Sequence, residues 1–296
     1  MSQVYPLSSQ WRRQKAIPYL FVAPALLMFS IWVLWPIFDS FILSVYRWNG
    51  MGKAHFVGLV NYRMLFSSNS FWRSITNNIL WLVLMLLAPI FGLLAALVLN
   101  QKILGMRLAK TLFFFPFVLS QVVIGLVFSW FYQPDGGLLN VILHHIGVHG
   151  LAILSNPHIV TFGIIAAGLW PQTAYCMILY LTGLNNLNPE LIEAGRLDGA
   201  RGWHLLWNVV LPQLRPATFI ALVVTVIGSL RSFDLVAIMT SGGPFGSSSV
   251  LAWLMYQQAI GNFRLGYGAA IGVVLFAIMA VFIGFFLWRI LRDAAR

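Results

Sequence analysis

Six stretches of the chain are apolar for about 20 residues each, and between them the sequence turns polar, proline-bearing or glycine-rich. They run from Tyr19 to about Phe38, Ile75 to Leu99, Leu112 to Tyr132, Val160 to Leu181, Ala217 to Met239 and Tyr267 to Leu287. A helix rises about 1.5 Å per residue and the hydrocarbon core of a bilayer is about 30 Å thick, so each stretch is long enough to span one. None alternates polar with apolar positions as a barrel strand does, and a helix satisfies its own backbone groups in lipid. The pattern predicts an all-α integral membrane protein of six transmembrane helices. The first stretch has no small-residue cleavage site after it and is expected to be a retained span.

An even number of spans places both termini on one side. The N-terminus, the second and fourth connections and the C-terminus hold twelve Lys and Arg residues, and the opposite side holds five: Arg47, Lys53, Arg63, Arg73 and Arg264. Basic residues favour the cytoplasmic side, so both termini are expected there. This gives a cytoplasmic N-terminus over 1–18, a first span with an outer loop over 19–73, a core of five helices over 74–287 and a cytoplasmic C-terminus over 288–296.

Composition agrees with lipid as the solvent. Of 296 residues 60% are hydrophobic and 8% charged, against roughly 25% charged in soluble domains. The net charge of +11 has no basic run longer than Arg12-Arg13, which makes a poor groove for nucleic acid. One cysteine, Cys176, excludes an internal disulfide or a multi-cysteine metal site. His144, His145 and His149 share an outer loop without a nearby carboxylate, and they read as polar positions of a short helix with no metal. No cofactor is expected, and the seven acidic residues are too scattered for paired-carboxylate catalysis.

The connection between the fourth and fifth stretches, 185–216, is longer than a helical bundle needs. Asn188 suits an N-cap, Pro189 the first helical position, and Glu190 and Glu193 the first turns. That helix should close at Asp198-Gly199, and a second should run from about Arg201 to Leu211, with Pro212 and Pro216 before the fifth span. Proline also enters spans at Pro24, Pro36, Pro89, Pro116 and Pro171, where it predicts kinks.

Within this loop stand Glu193-Ala194-Gly195, three residues, Gly199, nine residues, Val209, one residue and Leu211-Pro212. The arrangement resembles the EAA loop of importer-type ABC permeases, with Gly195 in place of the second alanine and Val209 in place of isoleucine. Tyr19-Leu20-Phe21-Val22-Ala23-Pro24, Phe56-Val57-Gly58-Leu59-Val60-Asn61-Tyr62, Ser241-Gly242-Gly243-Pro244 and Gly266-Tyr267-Gly268-Ala269-Ala270 resemble the carbohydrate-uptake branch. They look most like its maltose F-type or glycerol-phosphate A-type subunit. The resemblance implies a type I importer fold in a bacterial inner membrane. Its implied partners are a second homologous permease subunit in a heterodimer, two copies of a cytoplasmic ABC ATPase and an external substrate-binding protein. It further implies that Glu193, Ala194, Gly195, Asp198, Gly199, Val209, Leu211 and Pro212 couple to the ATPase, with Glu193 as the anchoring charge. The chain itself carries no nucleotide-binding glycine loop.

Candidates for a sugar path are Gln121, Trp130, Tyr132, Trp170, Gln172, Tyr175 and Tyr180, because amides and aromatic faces suit hydroxylated rings. Arg231 and Asp234, three apart near a span interior, are expected on one helical face, either lining the path or forming a structural pair. A glycerol 3-phosphate or glycerophosphodiester permease is the rival substrate reading. An ion-driven secondary carrier is the rival from another class.

Overall fold

The computed structural model describes residues 19–101 and 103–294; the basic N-terminal segment 1–18, Lys102, Ala295 and Arg296 lie outside the described residues. Among the described residues four helices are long and apolar enough to cross a membrane. They are α1 (Tyr19–Leu43), α3 (Asn69–Leu99), α7 (Val160–Asn185) and α13, apolar over Leu265–Arg289 and helical over Leu265–Ala294. Two bent pairs supply the rest: α4 (Met106–Val118) with α5 (Gln121–Phe131) at 99°, and α9 (Trp203–Gln213) with α10 (Arg215–Leu230) at 70°. Shorter helices on the connections are α2 (Val60–Phe66), α6 (Leu138–His145), α8 (Pro189–Leu197), α11 (Asp234–Met239) and α12 (Leu251–Tyr256). One antiparallel ribbon, β1 (Tyr46–Arg47) with β2 (His55–Phe56), follows α1 on the outer side.

Two predicted spans therefore need correction. The third, Leu112 to Tyr132, is two helices: Pro116 lacks the N–H and crowds the preceding turn, and Leu119 and Ser120 turn extended. The Ser120 hydroxyl then caps the next helix, accepting from the Val123 N–H at 3.3 Å. The fifth, Ala217 to Met239, stops at Leu230 and restarts at Asp234 after a non-helical Arg231-Ser232-Phe233. Arg231 thus caps the end of one helix and Asp234 opens the next, and the expectation that they share one helical face fails. The second loop helix begins at Trp203, two residues later than predicted, and runs through Pro212 to Gln213.

Proline leaves another mark. A π-helical turn covers Ser30–Leu34, two residues ahead of Pro36, and another covers Leu206–Val210, two ahead of Pro212. In each, the residue before proline bonds five back: Trp35 N–H to Ser30 O, and Leu211 N–H to Leu206 O. The widened turn relieves the clash between the proline ring and the carbonyl four residues earlier.

Three buried clusters hold the bundle. On the cytoplasmic side, Leu99 of α3, Tyr180 and Leu184 of α7 and Leu214 pack together with Leu187, Val210 and Leu211 of the loop. In the outer half, Trp81 and Met85 meet Ile164, Leu235 and Val250. At the outer edge Leu65 and Phe71 meet Leu251 and Ile271. Buried asparagines fasten the chain between α11 and α12 to α3: Asn77 Nδ2 donates to Ser247 O (2.6 Å) and Ser249 O (2.8 Å), and Asn78 Oδ1 accepts from the Leu251 N–H (2.9 Å). The apolar window of α1 buries nothing, and only the second half of the helix meets α13, where Phe41 and Phe276 stand edge to face at 5.7 Å.

Candidate functional site

Two places concentrate chemistry: the cytoplasmic helical loop and a polar cavity at the break in the fifth span. In the loop, the Asn188 side chain accepts from the Glu190 N–H at 2.9 Å and Pro189 occupies the first helical position. At the other end the Gly199 N–H donates to Arg196 O (3.1 Å) and the Ala200 N–H to Gly195 O (2.9 Å). This closure needs a left-handed residue, and Gly199 stands at φ +89° with Asp198 as the C-cap. The local signals read from the sequence are the ones that bound the helix.

The turn folds α9 back onto α8. A Cβ placed on Gly195 would lie 2.9 Å from Val209 Cγ2 and 3.3 Å from Leu205 Cδ1, so glycine admits the close approach. Gln213, which the sequence reading passed over, ties the base of the loop: its Oε1 accepts from the Asn188 N–H (3.0 Å) and its Nε2 donates to Val209 O (3.1 Å). Leu211 packs on the cytoplasmic cluster. Glu193, Ala194 and Pro212 are exposed, as are three apolar neighbours, Leu197 (89%), Trp203 and Trp207. The two indoles meet edge to face at 5.7 Å.

The cavity, about 160 Å³, lies between α3, α5, α7 and the break in the fifth span. Gln121, Gln172, Arg231 and Asp234 line it, with Thr225, Ser229 and Ser232 adding hydroxyls. Gln172 Nε2 donates to Thr225 Oγ1 at 2.9 Å and so joins α7 to α10. Trp81 also lines it; the side chain is 1% exposed and its Nε1 has no hydrogen-bond partner among the described residues. A charged side chain in hydrocarbon costs about 2.5 kcal/mol or more, and facing a polar cavity avoids that cost for Arg231 and Asp234.

The remaining aromatic candidates lie elsewhere. Tyr132 is buried with its hydroxyl donating to Gly163 O (3.1 Å), and Tyr180 belongs to the cytoplasmic cluster. Tyr175 packs on Phe117 at 5.0 Å and Trp170 on Phe128 at 5.8 Å, while Trp130 is exposed. Trp81 was legible only as an apolar aromatic within a span; its neighbours Asn77 and Asn78 were the available sign of a polar surrounding.

A bundle of whole and broken membrane helices, with a polar cavity at one break and a capped helical loop at its base, defines a membrane permease. Residues 88–296 match the family described as binding-protein-dependent transport system inner membrane component, and the chain belongs to that family. Relatives include the probable ABC transporter permease protein YurN of Bacillus subtilis, 36% identical over 90% of this chain and 93% of that one. The alpha-glucoside transport system permease protein AglF of Rhizobium meliloti is 34% identical over 94% of this chain and 82% of that one. The sn-glycerol-3-phosphate permease protein UgpA of the same organism is 31% identical, covering 90% and 91%. A bacterial ABC transporter involved in alginate import has the same fold, with a TM-score of 0.83 at 22% identity over 96% of this chain and 98% of that chain. The protein is a multi-pass inner-membrane transport subunit without catalytic activity of its own, and the family implies an ATPase and a binding protein beside it.

Proposed function

We propose that this subunit conducts a sugar or sugar derivative inward, in a heterodimer with a second permease, driven by two ATPase copies and fed by an external binding protein. The cavity lining is the observation that carries the substrate class. Two amides, three hydroxyls and an indole N–H match the hydroxyls of a carbohydrate, and one cation is accompanied by one carboxylate. Family membership removes the ion-driven carrier from consideration.

The loop is the proposed coupling element. The loop exposes Glu193 and also the apolar Leu197, Trp203 and Trp207, a mixture that suits docking into a groove with a basic rim. Ala194, Gly195 and Val209 shape the helical pair, Asp198 and Gly199 close the turn, and Leu211 and Pro212 lead its motion into α10.

Glycerol 3-phosphate is the second reading, favoured by the likeness to UgpA. A phosphate ester would bring at least one negative charge to Arg231, yet Asp234 lines the same cavity and opposes it. The test is ATP hydrolysis by the reconstituted transporter with its binding protein. Stimulation by neutral glycosides is expected; stimulation by glycerol 3-phosphate alone would overturn the sugar assignment.

A further inference from the structure

On the outer side, where α1 ends and α13 begins, the ribbon and α2 enclose a cleft of about 820 Å³. Arg47, Lys53, His55 and Arg264 line it, and among the described residues no carboxylate does. The ribbon's register puts Arg47 directly across from His55, so both side chains leave one face of the ribbon. Three exposed cations that share one cleft without a counter-charge create a positive potential that an anion relieves. The family match begins at residue 88, so Arg47, Lys53 and His55 come from a part of the chain that precedes it.

The cleft floor adds a second requirement. Gln258 Oε1 is buried there with no hydrogen-bond partner among the described residues. An ionised phosphate oxygen cannot serve it, since both atoms are acceptors, whereas a hydroxyl can. Apolar surface comes from Trp48, whose indole N–H donates to Gly52 O at 3.2 Å, and from Phe263, held at φ +52° and largely exposed. The two flanking spans show bare apolar faces, which sets the cleft at the outer edge of the lipid.

We propose that this cleft binds a glycerophosphate group. The phosphate lies among Arg47, Lys53 and Arg264, and a glycerol hydroxyl donates to Gln258 Oε1. Two sources carry this chemistry: the headgroup of phosphatidylglycerol in the outer leaflet, and a free glycerol phosphate in solution. The site is independent of the cargo cavity and of the identity of the transported substrate.

The test uses the intact transporter purified with its partner subunits. Native mass spectrometry would follow retention of phosphatidylglycerol and of phosphatidylmethanol, which has the same charge and no free hydroxyls; titration would follow free sn-glycerol 1-phosphate. Neutralising Arg47, Lys53 and Arg264 together to Gln should lower binding about tenfold or more, as loss of charge-assisted contacts predicts, while Arg63→Gln outside the cleft should not. Gln258→Leu should erase the preference for phosphatidylglycerol over phosphatidylmethanol. If the triple variant does not assemble, Arg47→Gln and Arg264→Gln singly should each lower binding about threefold. Retained lipid identifies the membrane as the source, and saturable binding of the soluble ester alone identifies the solution; either supports the site. Binding of both ligands unchanged by the substitutions, or a defect confined to affinity for the binding protein, would overturn it.

Discussion

Gly195 and Val209, the two positions at which the loop departs from the EAA pattern, face each other across the helical pair. The missing methyl of one makes room for the branched side chain of the other, 2.9 Å from where a Cβ would stand. Each departure alone looks conservative. Together they let α8 and α9 approach more closely than alanine opposite isoleucine would. Gly195→Ala gains up to about 1 kcal/mol of helix propensity but overpacks the contact at about 1–3 kcal/mol, so the clash wins. Uptake should fall, and adding Val209→Ala should restore it. A single Gly195→Ala variant with full transport would show that the pair yields easily.

Gln213 closes the base of the same loop through Asn188 and Val209. Gln213→Leu removes both bonds, at about 0.5–1.5 kcal/mol each, while the membrane spans stay intact. The variant should reach the membrane in normal amount and co-purify less ATPase. Gln213→Glu keeps the acceptor for the Asn188 N–H but loses the donor to Val209 O, and its ATPase recovery should fall between the two.

Glu193→Lys and Gly199→Asp test docking and turn separately. The first reverses an exposed charge without touching the fold. The second forces a side chain onto a residue at φ +89°, at a cost of about 1 kcal/mol or more. Both should abolish uptake with the protein still in the membrane. Limited proteolysis should find only the Gly199 variant loosened between α8 and α9, and normal uptake in both would remove the coupling role.

Because Arg231 ends one helix and Asp234 begins the next, exchanging them is not a symmetric operation. Asp234 lies in the first turn of α11, where a carboxylate is favoured by about 0.3–1 kcal/mol and a guanidinium is opposed. Single neutralisations should impair uptake, and the double swap should not rescue it. Recovery in the swap would restore simple pairing.

Trp81→Phe removes a buried donor that no described residue accepts from. Thermal unfolding should stay level or rise, because an unmet buried donor costs about 1–3 kcal/mol, whereas transport should fall if the indole N–H meets the cargo. Unchanged transport would leave Trp81 a packing residue.

The legible parts of this molecule were those whose physics is local. Asn188, Pro189 and Gly199 each announce a helix boundary through their own backbone preferences, and the loop helix begins and ends where they require. Hydropathy placed the spans but averaged over their breaks. Ser120 and the Arg231 to Phe233 segment interrupt helices within stretches whose mean composition stays apolar, although Pro116 predicted a kink in the first of them. Tyr132 and Tyr180 have the composition of sugar-stacking residues and lie in packed clusters, since residue type does not say which neighbour a helix face meets. Gln213 and Trp81 matter through partners far along the chain, or through the lack of one, which spacing alone does not display.

The break at Arg231 to Phe233 has a mechanical consequence. Outside it, α11 leads into the segment that Asn77 and Asn78 fasten to α3; inside it, α10 continues from the loop that Gln213 draws together. The cavity walls come from both sides of this joint. A swing of α10 driven from the cytoplasm therefore changes the distance between Thr225 or Ser229 and Asp234, and with it the space left for cargo. In the proposed coupling, loop position and pocket dimensions are then a single degree of freedom, and a molecule that props the pocket open also holds the lever.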